Sequence, residues 1–121
     1  MANNKLLRIG PVAIPSSAGN LVNPPTLTGG VNVGGSNTFL TLRHMVITNK
    51  TNANATVSLY IGLTGATSAG TEFWAIQRTV PANSAIEFGG QLVLEVADFL
   101  VGVASAGTTL VFEAEGELGI R

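Results

Sequence analysis

Three kinds of residue in this 121-residue chain have types and spacing that could do chemistry: a single histidine, a run of glutamates and a few aromatic rings. His44 lies in "TFLTLRHMVITN", where a strand would place it on one face with Leu40, Leu42 and Val46. A lone imidazole catalyses only beside a nucleophile, a metal or a second acid. None is signalled here, so the expectation is a packed, hydrogen-bonded histidine. Glu113, Glu115 and Glu117 project from one face of a strand, about 7 Å apart. Their mutual repulsion favours a cation: Arg43 or Arg78 on an adjacent strand, an arginine of a neighbouring subunit, or Ca²⁺. Calcium normally gathers more oxygens from loops, and sugar hydrolysis needs two carboxylates facing each other across a cleft. An arginine-paired or solvated strip and an intersubunit ion-pair strip therefore both stand ahead of a metal. Trp74 and Tyr60 are the rings that could stack on sugars, as a glycan-binding adhesion module would require. Phe73, Phe88, Phe99 and Phe112 fall in core-like patterns. The chain has no cysteine, Walker loop, G-x-G-x-x-G, G-x-S-x-G elbow or His/Asp metal spacing. No enzyme and no cofactor are expected.

The elements that would position these residues read as strands. "TFLTLRHMVITN" is β-rich and apolar on both faces, with Phe39, Met45 and Ile47 opposite the His44 set. "ATVSLYIGL" alternates, with Ala55, Val57, Leu59, Ile61 and Leu63 inward. "TEFWAIQRTV" is a further strand, and "IEFGGQLVLEV" alternates around a bend at Gly89-Gly90. "TLVFEAEGELGI" sets Leu110, Phe112, Ala114 and Leu118 against Val111 and the three glutamates. "KTNAN", "PANSA" and "AGT" are turns and "TGATSAG" is a loop. Strands about 8–12 residues apart, without helical periodicity, predict an all-β, antiparallel β-sandwich, jelly-roll or immunoglobulin-like. It should occupy residues 38–121.

Residues 1–37 read differently. No ionisable residue occurs between Arg8 and Arg43, and Pro11, Pro15, Pro24 and Pro25 exclude helix there. "LLRIGPVAI" allows a short strand, and the rest predicts an extended N-terminal arm ordered by neighbouring subunits. Hydrophobic residues make up 45% of the chain and charged residues 11%, against about 25% charged in a typical soluble domain. So little charge implies that part of the surface is covered in the working state. The partner-binding candidates are the apolar residues of this region, Leu7, Ile9, Val12, Ile14, Leu21, Val22, Leu27, Val31, Val33 and Phe39, together with Glu113, Glu115 and Glu117. A net charge of −1 with scattered cations offers no basic stripe for nucleic acid or an anionic membrane. No apolar run approaches the roughly 20 residues of a spanning helix.

Two longer stretches carry a resemblance. They are "LRHMVITNKTNANATVSLYIG" and "TEFWAIQRTVPANSAIEFGGQLVLEVADFLVGVASAGTTLVFEAEGELGI", and the upstream "GPVAIPSSAGNLVNPPTLTGG" extends it. The chain resembles small virion structural proteins of tailed bacteriophages, of the β-sandwich capsid decoration (cement) type. The matching pieces are an Asn-Lys-Thr strand end, an Ala-Thr-Val-Ser-Leu-Tyr strand, a Val-Pro-Ala-Asn-Ser turn and an Asp-Phe-Leu step. The resemblance implies a non-enzymatic protein on the outer surface of the capsid, made in the host cytoplasm. Its implied partners are the major capsid protein and other copies of itself, as a dimer or trimer. A neck, head-completion or tail-associated position is the alternative within the same class.

Overall fold

The computed structural model describes residues 5–22, 38–62, 71–95 and 98–120. They form eight strands: β1 (Lys5–Ala13), β2 (Gly19–Val22), β3 (Thr38–Asn49), β4 (Ala55–Gly62), β5 (Arg78–Val80), β6 (Ser84–Leu94), β7 (Phe99–Ala104) and β8 (Leu110–Ile120). Two four-stranded antiparallel sheets result, ordered β1-β8-β3-β6 and β2-β7-β4-β5. Successive strands mostly cross from one sheet to the other. This double Greek key is the jelly roll, which decides between the two sandwiches the sequence allowed.

The alternation in β4 and β8 explains why these strands lie where they do. Val57 and Leu59 from β4 and Leu110, Phe112, Ala114 and Leu118 from β8 are buried between the sheets. Phe112 sits on the central strand β8 with no exposure and is the largest fully buried side chain. Burying such a ring contributes about 1.5–3 kcal/mol.

The first two strands come from within residues 1–37, the segment expected to be an arm. β1 pairs with β8 from Lys5↔Leu118 to Ala13↔Val111, and β2 pairs with β7. The physical reason lies in three apolar side chains: Ile14, Leu21 and Val22 are in the core of this same chain. Pro11 is accommodated because β1 is an edge strand, where it removes no ladder hydrogen bond from the sheet interior. Beside it the register slips between Ile9 and Val12. Gly10 takes a φ of 83° there, and a Cβ would stand 2.6 Å from the Phe112 carbonyl oxygen. The part of the arm at residues 23–37 lies outside the described residues, as does the loop at 63–70.

Strand β3 corrects a second expectation. Its register shifts between Leu42 and His44 against both β6 and β8. Against β8 the extra residue is Arg43, whereas against β6 it lies on β6 between Gly89 and Leu92. The insertion at Arg43 inverts the alternation, so that Leu40, Leu42, Met45 and Ile47 are all buried, while His44 and Val46 lie on the outer face with partial exposure. A bulge lets one strand be apolar inward on both sides of the kink. The strand expected across "TEFWAIQRTV" shrinks to Arg78–Val80. Residues 71–77 instead follow an irregular path, with Trp74 and Gln77 at φ of 57° and 46°. The Leu59 amide donates to the Ala75 carbonyl and the Phe73 amide to the Leu59 carbonyl.

Candidate functional site

The outer face of the β1-β8-β3-β6 sheet gathers most of the side chains with chemical potential. Cross-strand pairing builds it row by row. Arg8 is opposite Glu115, which is opposite His44. Leu6 is opposite Glu117, and Val46 lies between Glu113 and Glu87. Arg8, Arg43, Glu87, Glu113, Glu115 and Glu117 thus share one surface, nearly half of the charged side chains in the sequence. A cleft of about 450 Å³ opens on it, lined by Leu6, Leu7, Arg8, Arg43, His44, Glu115 and Gly116.

Arg43, pushed outward by the bulge, donates from Nε to Glu117 Oε2 at 2.7 Å. His44 Nε2 donates to Glu87 Oε2 at 3.0 Å, and its Nδ1 is 3.9 Å from Glu115 Oε1. The imidazole thus sits between carboxylates from β6 and β8 and is hydrogen-bonded to the one on β6. Arg43 of the two expected arginines serves the glutamate strip; Arg78 does not. These pairs are solvent-exposed, and exposed ion pairs contribute about 0–1 kcal/mol each. The charged pairs of this face therefore add little to holding the fold. Among the described residues the side chains paired with His44 are carboxylates and not nucleophilic hydroxyls, and no cluster of three or more His, Asp or Glu side chains could hold a metal. The sequence pointed to the glutamates and Arg43. It missed Arg8, Glu87 and Leu6, because only the strand order brings β1 and β6 to this face.

The apolar candidates divide. Ile14, Leu21 and Val22 are buried in the core and Leu7 and Ile9 pack partly against it. Val12 is 36% exposed. Phe39 is half-buried, and Gly119 makes room for its ring, which a Cβ there would meet at 2.5 Å. Leu27, Val31 and Val33 lie outside the described residues.

Trp74 and Tyr60 have different surroundings. Trp74 meets Phe88, a side chain directed between the sheets, edge-on at 5.5 Å, and carries the Arg78 guanidinium 4.9 Å from its ring centre. Tyr60 sits half-buried on β4 with Ser58 and Thr56, on the outer face of the other sheet. The tryptophan closes the open side of the sandwich between β5 and β6.

A second cluster explains the turn motifs. Buried Asn49 donates from Nδ2 to the carbonyls of Ala53 (2.8 Å) and Val80 (3.0 Å). Its Oδ1 accepts from the Thr51 amide (2.9 Å) and hydroxyl (2.7 Å). The Ala82 amide donates to Asn54 Oδ1, and the Asn83 amide to the Thr51 carbonyl. The Asn-Lys-Thr and Val-Pro-Ala-Asn-Ser motifs meet in this one corner. They are signatures of fold, not of a reaction.

Neither a protein-family model nor a curated protein matches the sequence. Solved structures do resemble the fold. A structure from Desmodium yellow mottle tymovirus aligns with 99% of this chain and 86% of its own, at a TM-score of 0.63 and 6% identity. A virus-like particle of the extra small virus of the giant freshwater prawn Macrobrachium rosenbergii aligns over 98% and 78%, at 0.49 and 12%. The coat protein of Tobacco streak virus aligns over 98% and 86%, at 0.48 and 10%. At such identities the likeness is one of fold, and the tymovirus structure is the one of the three similar enough to carry it.

Proposed function

We propose that this chain is a non-enzymatic virion structural protein, and within that class a capsid decoration protein of a tailed bacteriophage. It would bind the outer surface of the assembled head and tie neighbouring major capsid protein subunits together. The observation that carries this reading is topological: the described residues build one complete jelly roll, matched nearly end to end by a structure from a virus, with no catalytic constellation on either sheet. The low charge supports it, since a surface that spends its life against other protein needs little of it. The mechanism is mass action. A protein that binds only the assembled lattice raises the free energy needed to take the lattice apart, and many copies acting together add avidity.

In this reading the charged face of the β1-β8-β3-β6 sheet and Leu27, Val31 and Val33 are the contact elements toward the shell. The test is the number of copies in purified particles, counted by quantitative mass spectrometry and located by particle reconstruction. Hundreds of copies on the head support decoration. About a dozen or fewer, at the neck or tail, would move the protein to that position, and absence from particles would end the reading.

A further inference from the structure

The cleft on the outer face of the β1-β8-β3-β6 sheet is built across three neighbouring strands. β8 lies between the other two and supplies the floor at Glu115 and Gly116. Leu6, Leu7 and Arg8 of β1 form one wall, and Arg43 and His44 of β3 form the other. The bulge at Arg43 puts two consecutive residues of β3 on this face, where plain alternation would allow one.

The charges of the cleft are unevenly matched. Arg43 donates to Glu117 at 2.7 Å, and Glu115 turns toward His44, 3.9 Å away. Arg8 faces Glu115 across the strand pair, yet among the described residues it has no ion-pair partner. The uncompensated charge is therefore one exposed guanidinium. Two positions along β1 stands Leu6, 84% exposed, the most exposed large hydrophobic side chain among the described residues.

These features select a ligand. A guanidinium fork fits carboxylate and phosphate alike, by paired hydrogen bonds. A phosphorylated side chain carries about −1.5 to −2 charge, and here it would sit against Glu115. A carboxylate brings a single negative charge, which matches the single unpaired cation. Leu6 calls for an apolar group beside that carboxylate. Small ligands are held where most of their surface is buried, but Leu6 stands out into solvent at the mouth of the cleft. A protein surface can fill the cleft and cover Leu6 together.

We propose that this cleft binds the side-chain carboxylate of a glutamate or aspartate of a partner protein, with an apolar neighbour of that residue packed on Leu6. Arg8 donates to the carboxylate. That the partner is a shell subunit rests on the virion reading; the chemistry of the cleft does not.

The test is an NMR titration of the isotope-labelled full chain with three blocked tripeptides: Leu-Glu-Leu, Leu-Gln-Leu and Leu-phosphoserine-Leu. Leu-Glu-Leu should shift the amides of Leu6, Leu7, Arg8, Arg43, His44, Glu115 and Gly116 in a saturable way. Leu-Gln-Leu should bind about fivefold more weakly, the loss of one exposed ion pair. Arg8→Ala should weaken Leu-Glu-Leu by about the same factor, and Leu6→Ser by about threefold. Both side chains are exposed, so the circular dichroism spectrum should not change. Lys50→Ala, an exposed cation outside the cleft, should leave binding as it is. The proposal fails if the glutamine peptide binds as well as the glutamate one, if the phosphoserine peptide binds more tightly, or if no peptide shifts those amides. It fails equally if R8A binds Leu-Glu-Leu unchanged. In particles, R8A at the native copy number would overturn the proposal and leave the virion role standing. Absence of the native chain from particles would end that role, while the titration would still decide the cleft.

Discussion

Asn49 and Arg43 are both polar, both on β3, and differ in what they hold. Asn49 is fully buried, and its amide makes two bonds and accepts two, spanning the turn after β3 and the end of β5. Asn49→Ala would strand the buried Val80 carbonyl and the Thr51 amide. Leaving such groups without partners costs about 1–3 kcal/mol each, so a loss of about 2–4 kcal/mol is expected by urea denaturation. Arg43 is 56% exposed at its side chain and pairs with one glutamate. Arg43→Ala should shift the same denaturation curve by less than about 1 kcal/mol. If the two variants lost stability equally, the view that these exposed pairs add little to holding the fold would be wrong.

At the level of elements, glycines show where strands approach too closely for a side chain. In β8 a Cβ on Gly116 would collide with the Thr41 carbonyl oxygen and stand 3.0 Å from Leu42 Cα. That contact is backbone, so it cannot swing aside, and it sits where β3 bulges around Arg43. Gly116→Ala should cost about 2 kcal/mol or more, as overpacked interiors do. Gly89→Ala should be neutral or stabilise by up to about 1 kcal/mol, since the site is open and the backbone permits it. The same bulge limits what alternation can tell. β8 obeys period two without interruption, so its inward and outward residues were legible in the sequence. In β4 Ala55, Val57 and Leu59 are buried as expected, but outward Ser58 is buried too, Ile61 is half-buried, and Leu63 lies outside the described residues. In β3 one inserted residue inverts the pattern, and nothing in "LTLRHMVIT" marks Arg43 as that residue. His44 was therefore expected among leucines and stands among carboxylates. Residues 71–77 fail for a related reason: their β-rich composition suits a strand, but positive φ at Trp74 and Gln77 breaks the ladder.

Across the whole molecule the legible part was the class of fold, because turn spacing and strand composition are local properties. The pairing of distant segments is not local, and it decides what residues 1–37 do. An uncharged, proline-containing stretch reads as an arm. Yet Ile14, Leu21 and Val22 find slots between the sheets, and β1 and β2 each complete one of them. Burying three such side chains contributes on the order of 5–8 kcal/mol, comparable to the 5–15 kcal/mol net stability of a typical domain. Deleting residues 1–22 would remove that term and also leave β8 and β7 as long, newly exposed edges. The truncated chain is expected to lose cooperative unfolding by circular dichroism and to aggregate. A soluble truncated protein with a sharp denaturation transition would show that β1 and β2 are accessories to a six-stranded core, and would restore these residues to the role of an arm. Replacing Leu27, Val31 and Val33 by serine leaves both strands in place and is expected to preserve the transition, so any loss of shell binding in that variant reports on contact with the partner and not on folding.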